Sequence, residues 1–211
     1  MIMYYHAWKF LYPPRPESAI MPSLLGFYEG RGWWAQAKKN GTNTLVGISP
    51  EGEIVTRTRH DTEHKAWTLT PHLENALRGL FPPGDWYVLC AELLHSKTKT
   101  IKDTLFIHDI LVEKSVFLLD SSFEDRQKIL EPFKTNVEAW SHYVIDDQNK
   151  LWLAKNFTTG FRNLFDAIRD PTIDEGLVLK DPQGRLKMCV SPTDNASWCV
   201  KARYPTKNYR F

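Results

Sequence analysis

Residues 33–59 place the tightest constraint on how this chain can fold. Trp33-Trp34-Ala35-Gln36-Ala37 runs into Lys38-Lys39-Asn40-Gly41, and Thr42 to Ile48 continues as a β-branched, apolar stretch. Asn-Gly between two such runs signals a tight turn, because both residues tolerate positive φ. A second turn, Ser49-Pro50-Glu51-Gly52, leads into the alternating run Ile54-Val55-Thr56-Arg57-Thr58-Arg59. The segment predicts a β-hairpin or meander.

The rest of the chain mixes strands and helices without regular alternation. Leu73 to Leu80 has helical spacing and stops at Phe81-Pro82-Pro83-Gly84. Trp86 to Leu94 and Thr104 to Val112 read as apolar strands joined by a stretch carrying Lys97, Lys99 and Lys102. Ser122 fits an N-cap, with a helix from Phe123 to Phe133, and a further helix spans Phe161 to Ile168. Glu175 to Lys180 and Ser197 to Arg203 are the last strands, separated by the turn Asp181-Pro182-Gln183-Gly184. The pattern is α+β, not the βαβ rhythm of a doubly wound sheet. Nothing in residues 1–32 forms a recognisable motif.

Composition excludes several classes. Hydrophobic residues make up 42% and charged residues 25%, which suits a soluble globular protein with a sizeable core. A net charge of +2 does not mark a nucleic-acid binder as a whole, but leaves room for a local basic face. Cys90, Cys189 and Cys199 are scattered and odd in number, which argues for reduced thiols in an intracellular setting and against a disulfide scaffold or a zinc site. Met1 to Tyr12 is interrupted by His6 and Lys9 and lacks the form of a signal peptide, and no run approaches a bilayer span. A cytoplasmic protein with no membrane partner is expected. There is no glycine-rich phosphate loop and no G-x-S-x-G elbow.

Several short blocks carry chemistry when taken together. Lys38-Lys39-Asn40-Gly41 puts a lysine beside a glycine, where backbone and ligand can approach closely. Val88-Leu89-Cys90-Ala91-Glu92-Leu93 is an apolar strand carrying one acid, and Leu105-Phe106-Ile107-His108-Asp109 is another that ends on rings and an acid. Glu175-Gly176-Leu177-Val178-Leu179-Lys180 and Lys201-Ala202-Arg203 follow. In this order the blocks resemble the covalent nucleotidyltransferase superfamily, which comprises ATP-dependent DNA ligases, RNA ligases and mRNA capping enzymes. The resemblance runs from about Trp33 to Arg203.

It implies a nucleotidyltransferase domain of twisted antiparallel sheets flanked by helices. Residues 1–211 are expected to form this one domain, with no C-terminal OB domain. Lys38 would be the nucleophile that takes AMP from ATP, with Lys201 and Arg203 on phosphate oxygens and Lys180 adding to their field. Gln36 stands where many DNA ligases read the adenine amino group, and Glu92 with Arg59 would grip the ribose. Phe106 or His108 would stack on the purine, and Asn40 and Asn43 would complete the nucleotide site. Glu175 would hold Mg²⁺ or Mn²⁺, which prefers oxygen donors. Two positions depart from the family pattern: His108 replaces the usual aromatic, and Arg203 replaces a second lysine.

Thr42-Asn43 after the motif glycine follows the phage and RNA-editing RNA ligases rather than the arginine that DNA ligases carry. The implied activity is therefore RNA strand sealing. The alternatives are DNA nick sealing, capping-type guanylyl transfer, or a binding relative without turnover. The implied partners are 5′-phosphate and 3′-OH ends, with a protein partner where an OB domain would otherwise act. His60-Asp61-Thr62-Glu63-His64 reads as a solvated loop, and the basic run Lys97, Lys99 and Lys102 as a solvated face in preference to a contact with a nucleic-acid backbone. His72, His95 and His142 read as surface or internally satisfied residues, and Asp146-Asp147 as a turn.

Overall fold

The computed structural model describes residues 3–205. In chain order its elements are β1 (Met3–Tyr4), β2 (Arg15–Ala19), α1 (Leu25–Gly30), β3 (Trp34–Lys39), β4 (Thr42–Ile48) and β5 (Ile54–Thr58). There follow α2 (Pro71–Leu80), β6 (Tyr87–Leu94), β7 (Thr104–Glu113), β8 (Val116–Phe117) and α3 (Phe123–Leu130). The last are β9 (His142–Val144), β10 (Leu151–Ala154), α4 (Phe161–Asp166), β11 (Asp174–Lys180) and β12 (Asn195–Arg203).

Among the described residues the strands form two sheets. An eight-stranded sheet runs β1-β8-β7-β6-β4-β5, with β10 and β9 continuing from β7, and a four-stranded sheet runs β2-β12-β11-β3. The fold is the expected α+β arrangement of largely antiparallel sheets flanked by helices; β10 on β7 and β2 on β12 are the parallel pairs.

The predicted hairpin at Asn40-Gly41 does not exist. β4 and β5 do pair, with Thr44 opposite Thr58, but β3 joins β11 in the smaller sheet while β4 joins β6 in the larger one. The Lys39–Thr42 corner is thus a crossover between sheets. Its backbone explains the difference: the Asn40 N–H donates to the Ile173 carbonyl (2.8 Å) rather than back to β4. A Cβ on Gly41 would lie 2.6 Å from both Glu92 Cγ and the Leu93 carbonyl oxygen, so only glycine lets the chain pass this close over β6.

Helices fill the outer faces. α2 starts at Pro71 with the Thr70 hydroxyl accepting from the Leu73 N–H, and it buries Leu73 and Leu77 against Leu89 and Ala91 of the larger sheet. α4 buries Phe161 and Phe165 with Leu25, Leu177 and Leu179 on the smaller sheet. The helix predicted over Phe123–Phe133 ends at Leu130 and tightens into a 3₁₀ turn at Glu131–Phe133, where Pro132 has no N–H to continue it. Ser122 caps it as expected, accepting from the Asp125 N–H at 3.1 Å. The helix predicted to Ile168 stops at Asp166.

Candidate nucleotide site

A cavity of about 720 Å³ opens where the two sheets diverge, a size that accommodates a nucleotide. The smaller sheet contributes Arg15, Gln36, Lys38, Glu175, Val178, Lys180, Lys201 and Arg203 to its wall. The larger contributes Asn43, Glu92, Phe106 and His108, and the segment after β5 adds Arg59. Residues spread over some 190 positions of sequence therefore meet because the crossover at Gly41 holds the sheets together on one side.

Lys38 and Lys39 are neighbours on β3 whose side chains leave opposite faces of the strand. Lys38 Nζ pairs with Glu175 Oε2 on the cavity wall, where the two side chains are 21% and 20% exposed. This contact depends on a bulge in β11. Lys38 lies opposite Gly176 and Lys39 opposite Asp174, so Glu175 is the extra residue between them. Gly176 makes the bulge possible: its φ is +150°, and a Cβ would lie 2.1 Å from the Ala202 carbonyl oxygen.

Lys39 Nζ turns into the interior, 2.7 Å from Asp174 Oδ1 and 2.9 Å from Ser141 Oγ. The rings of Phe106 and Trp152 (each 5.4 Å to the centroid) and Trp140 (5.9 Å) surround it. Burial lowers the Lys39 pKa and raises that of Asp174, each against the pull of the partner charge. His142 closes the far side, stacked 3.8 Å from Trp152. Burial, then the charges of Lys39 and Lys155, hold its pKa near 3.

Glu92 on β6 sits directly opposite Asn43 on β4. Burial raises its pKa to about 7, although Lys38 and Lys97 draw it down. His108 is neutral at physiological pH, since burial and then Lys180 lower its pKa to about 3. The His108 carbonyl gathers three donors at 3.3 Å each: Gln36 Nε2, Gln127 Nε2 and Lys180 Nζ. Because a carbonyl can only accept, it sets the orientation of both amides. Gln36 Nε2 also donates to Asn156 Oδ1 at 2.8 Å. Beneath this layer Arg126 and Asp109 form a buried two-pronged pair at 2.9 and 3.0 Å. Burial raises the Asp109 carboxyl, but Arg126 more than offsets it and leaves the group below its usual range.

The expected site residues are thus brought together with one exception. Asn40 does not reach the cavity; its side chain donates to the Thr172 carbonyl at 3.0 Å and ties the crossover to the loop before β11. Lys180 is occupied by the His108 carbonyl and by the Phe123 ring 4.4 Å away, so it supports the wall from behind. Phe106 and His108 both line the cavity, but the Phe106 ring is committed to the box around Lys39.

Other expectations need correction. The 60–64 segment is not simply solvated: His64 lines the cavity, lies 3.3 Å from Thr44 Oγ1 and meets Trp67 edge-on. Lys97 binds the Gly41 carbonyl, and Lys102 donates to the His95 and Thr98 carbonyls at 2.5 and 2.6 Å, so this run braces the crossover and its own loop. His72 pairs with Asp146 at 2.6 Å, while Asp146 also accepts from the Lys150 and Leu151 amides in the expected turn. His72, Asp146 and Asp147 form a possible three-donor group away from the cavity.

Arg15, Gln127 and Asn156 were not anticipated. The signal available for Arg15 was its setting between Pro14 and Pro16, which favours an extended, fixed backbone. Gln127 and Asn156 carry no local signal, because their role exists only once α3 and the loop before α4 converge.

No protein-family model matches the chain, and no curated protein matches it. Solved structures do. It has the fold of the nucleotidyltransferase domains of ATP-dependent DNA ligases. A mycobacterial DNA ligase D complexed with ATP and MES is 19% identical with a TM-score of 0.63, over 93% of this chain and 62% of that one. The ligase domain from M. tuberculosis LigD is 18% identical with a TM-score of 0.60, over 93% and 61%. A structure of the Lig E DNA ligases, described as DNA binding with a minimal scaffold, is 10% identical with a TM-score of 0.52, over 91% and 69%. The chain therefore spans 62% and 61% of the first two of these proteins. Among the described residues no helix is long and apolar enough to cross a membrane.

Proposed function

We propose that this chain is an ATP-dependent polynucleotide ligase that adenylylates its own Lys38. The observation that carries this reading is the Lys38–Glu175 pair on the wall of a cavity that also holds Glu92, Lys201 and Arg203. A lysine amine is a nucleophile only when neutral. The proton that Lys38 sheds has an acceptor in the Glu175 carboxylate and leaves through it to solvent. The nitrogen lone pair then bonds to the α-phosphorus of ATP as the bond from that phosphorus to the bridging oxygen breaks, its electron pair departing on pyrophosphate. Lys201 and Arg203 stabilise the charge that builds on the phosphate oxygens.

The nucleoside end fits as well. Gln36 has its nitrogen committed to the His108 carbonyl and Asn156, so its amide oxygen is the acceptor left for an adenine amino group. His108, neutral and on the cavity wall, is the stacking ring, with Val178 lining the same cavity. Glu92 and Asn43 face the ribose hydroxyls; Asn43 Oδ1 is sealed without a hydrogen-bond partner among the described residues. Glu175 and Glu92 put two carboxylates, hard oxygen donors, on the cavity wall, so Mg²⁺ or Mn²⁺ fits here. Such an ion would neutralise triphosphate charge.

In the steps that follow, a 5′-phosphate oxygen attacks the lysyl-AMP phosphorus and the P–N bond breaks, with Lys38 taking back a proton. A 3′-hydroxyl then displaces AMP and closes the strand. The Thr42-Asn43 signature supports RNA as the strand sealed, whereas the likeness to DNA ligases favours a DNA nick. Incubation with α-labelled ATP or GTP, a divalent metal and a denaturing gel tests the first step. Label from ATP supports the reading, label from GTP alone converts it to capping-type transfer, and no label from either overturns it. Nicked duplexes with RNA or DNA on the 3′-OH side then separate the two substrates.

A further inference from the structure

We propose that Arg15, together with Arg59, binds the β- and γ-phosphates of ATP and so acts in formation of lysyl-AMP but not in strand joining. The inference rests on the ligase reading above and adds a subsite to it.

β2, an edge strand of the smaller sheet, lies parallel to β12, with Arg15 opposite Asn195 and Ala19 opposite Lys201, and this brings Arg15 to the cavity wall. The cavity separates its cations into two kinds. Lys38 is paired with Glu175, and Lys97 is held by the Gly41 carbonyl. Arg15, Arg59 and Lys201 have no carboxylate within ion-pair distance among the described residues; the only side-chain bond of Arg59 is to the Pro192 carbonyl at 3.3 Å. They feel one another instead. Arg59 is lowered by burial and then by Arg15, against a smaller pull from Glu92, and Lys201 by burial and then by Lys38, Arg203, Arg15 and Arg59. Like charges gathered in a half-buried cleft repel unless an anion joins them.

The charge of that anion follows from the roles already taken. Lys201 and Arg203 attend the α-phosphorus beside Lys38, so the cations left over face the two phosphates that leave. Arginine suits this task, since its planar fork grips two phosphate oxygens at once. Arg59, expected from the family resemblance to hold ribose, is placed by its neighbour Arg15 toward the same polyphosphate tail. Once pyrophosphate departs, neither residue retains a partner in the reaction.

The test uses Arg15→Gln and Arg15→Lys in the full chain, with thermal unfolding as the check on folding. Arg15→Gln is expected to lower the rate of label transfer from ATP by ~10–100-fold, the loss typical of one charged hydrogen-bonding group. It should also remove most of the thermal stabilisation that inorganic tripolyphosphate gives the wild type, and Arg15→Lys should recover part of both. Joining of a strand that already carries a 5′-adenylyl group should proceed at the wild-type rate. Equal slowing of that joining step would place Arg15 on nucleic acid and overturn the proposal, as would unaltered labelling. If the wild type takes no label, the ligase reading fails, and the anion site is judged on tripolyphosphate alone: equal shifts in wild type and Arg15→Gln would overturn it.

Discussion

Lys38 and Lys39 differ by one position and share a chemistry, yet the structure gives them opposite lives. Lys38 looks into the cavity and meets Glu175 with about one-fifth of each side chain exposed, while Lys39 is sealed with Asp174, Ser141 and three rings. Both amines have a carboxylate partner. Access separates them: both residues border the cavity, but the Lys38 side chain keeps about one-fifth of its surface exposed there, whereas that of Lys39 is 2% exposed against Phe106 and Trp152. The pair also works as a unit. The Lys39–Asp174 contact lies next to the β11 bulge, and that bulge presents Glu175 to Lys38.

The largest expected effect separates the two directly. Lys38→Ala reduces covalent labelling by ATP to background, and Lys38→Arg does so too, because a guanidinium stays protonated. Lys39→Met keeps the label wherever the variant folds. Label that survives Lys38→Ala and vanishes in Lys39→Met would reverse the assignment.

Stability should rank the lysines the other way. Lys39→Ala leaves Asp174 buried without its partner and is expected to lose about 3–5 kcal/mol in chemical denaturation. Replacing both, as Lys39→Met with Asp174→Leu, should recover much of that loss, since removing a buried pair whole is far gentler than halving it. If the double variant is no more stable than Lys39→Ala, the pair is not what stabilises this part of the fold.

A third effect probes the acid that faces Lys38. Between about pH 4.5 and about 7 the folded chain keeps a proton on Glu92 that the unfolded chain has released. This contribution makes folding weaker as pH rises through that window, and it is constant above it. Glu92→Gln removes it, so the unfolding free energy of the variant relative to wild type should climb from about pH 4.5 to about 7 and then level off. A flat or falling difference would show that Glu92 is not held protonated. The smallest effect is on the cavity side: Lys38→Ala should change stability by no more than about 1 kcal/mol, because its ion pair is partly solvated.

The extent to which the site was legible follows the kind of signal each residue carries. Lys38, Glu92, Glu175, Lys201 and Arg203 sit in ordered blocks along strands, and strand alternation with family order was enough to collect them. Asn40 carried the same kind of signal and was misassigned, because a turn residue can spend its side chain on its own loop, here on Thr172. The two lysines could not be told apart by their contacts, since adjacent strand positions face opposite ways and nothing local says which face is buried. Arg15 had a local cue in its prolines but no partner in sequence. Gln127 and Asn156 had neither.

What the sequence settles by itself is local: the type of the main strands and helices, the cap at Ser122, and the set of charged and amide groups carried on those strands. What only the tertiary structure decides is partnership. An Asn-Gly corner reads as a hairpin because the turn preference is written in two residues. Whether the next strand returns to its neighbour or departs to another sheet depends on distant hydrogen bonds, such as that from Asn40 to Ile173, and on the close passage of Gly41 over Glu92 and Leu93. The cavity exists because the chain departs. Long-range pairing and burial carry no local code, and here they set which lysine keeps its side chain exposed on the cavity wall.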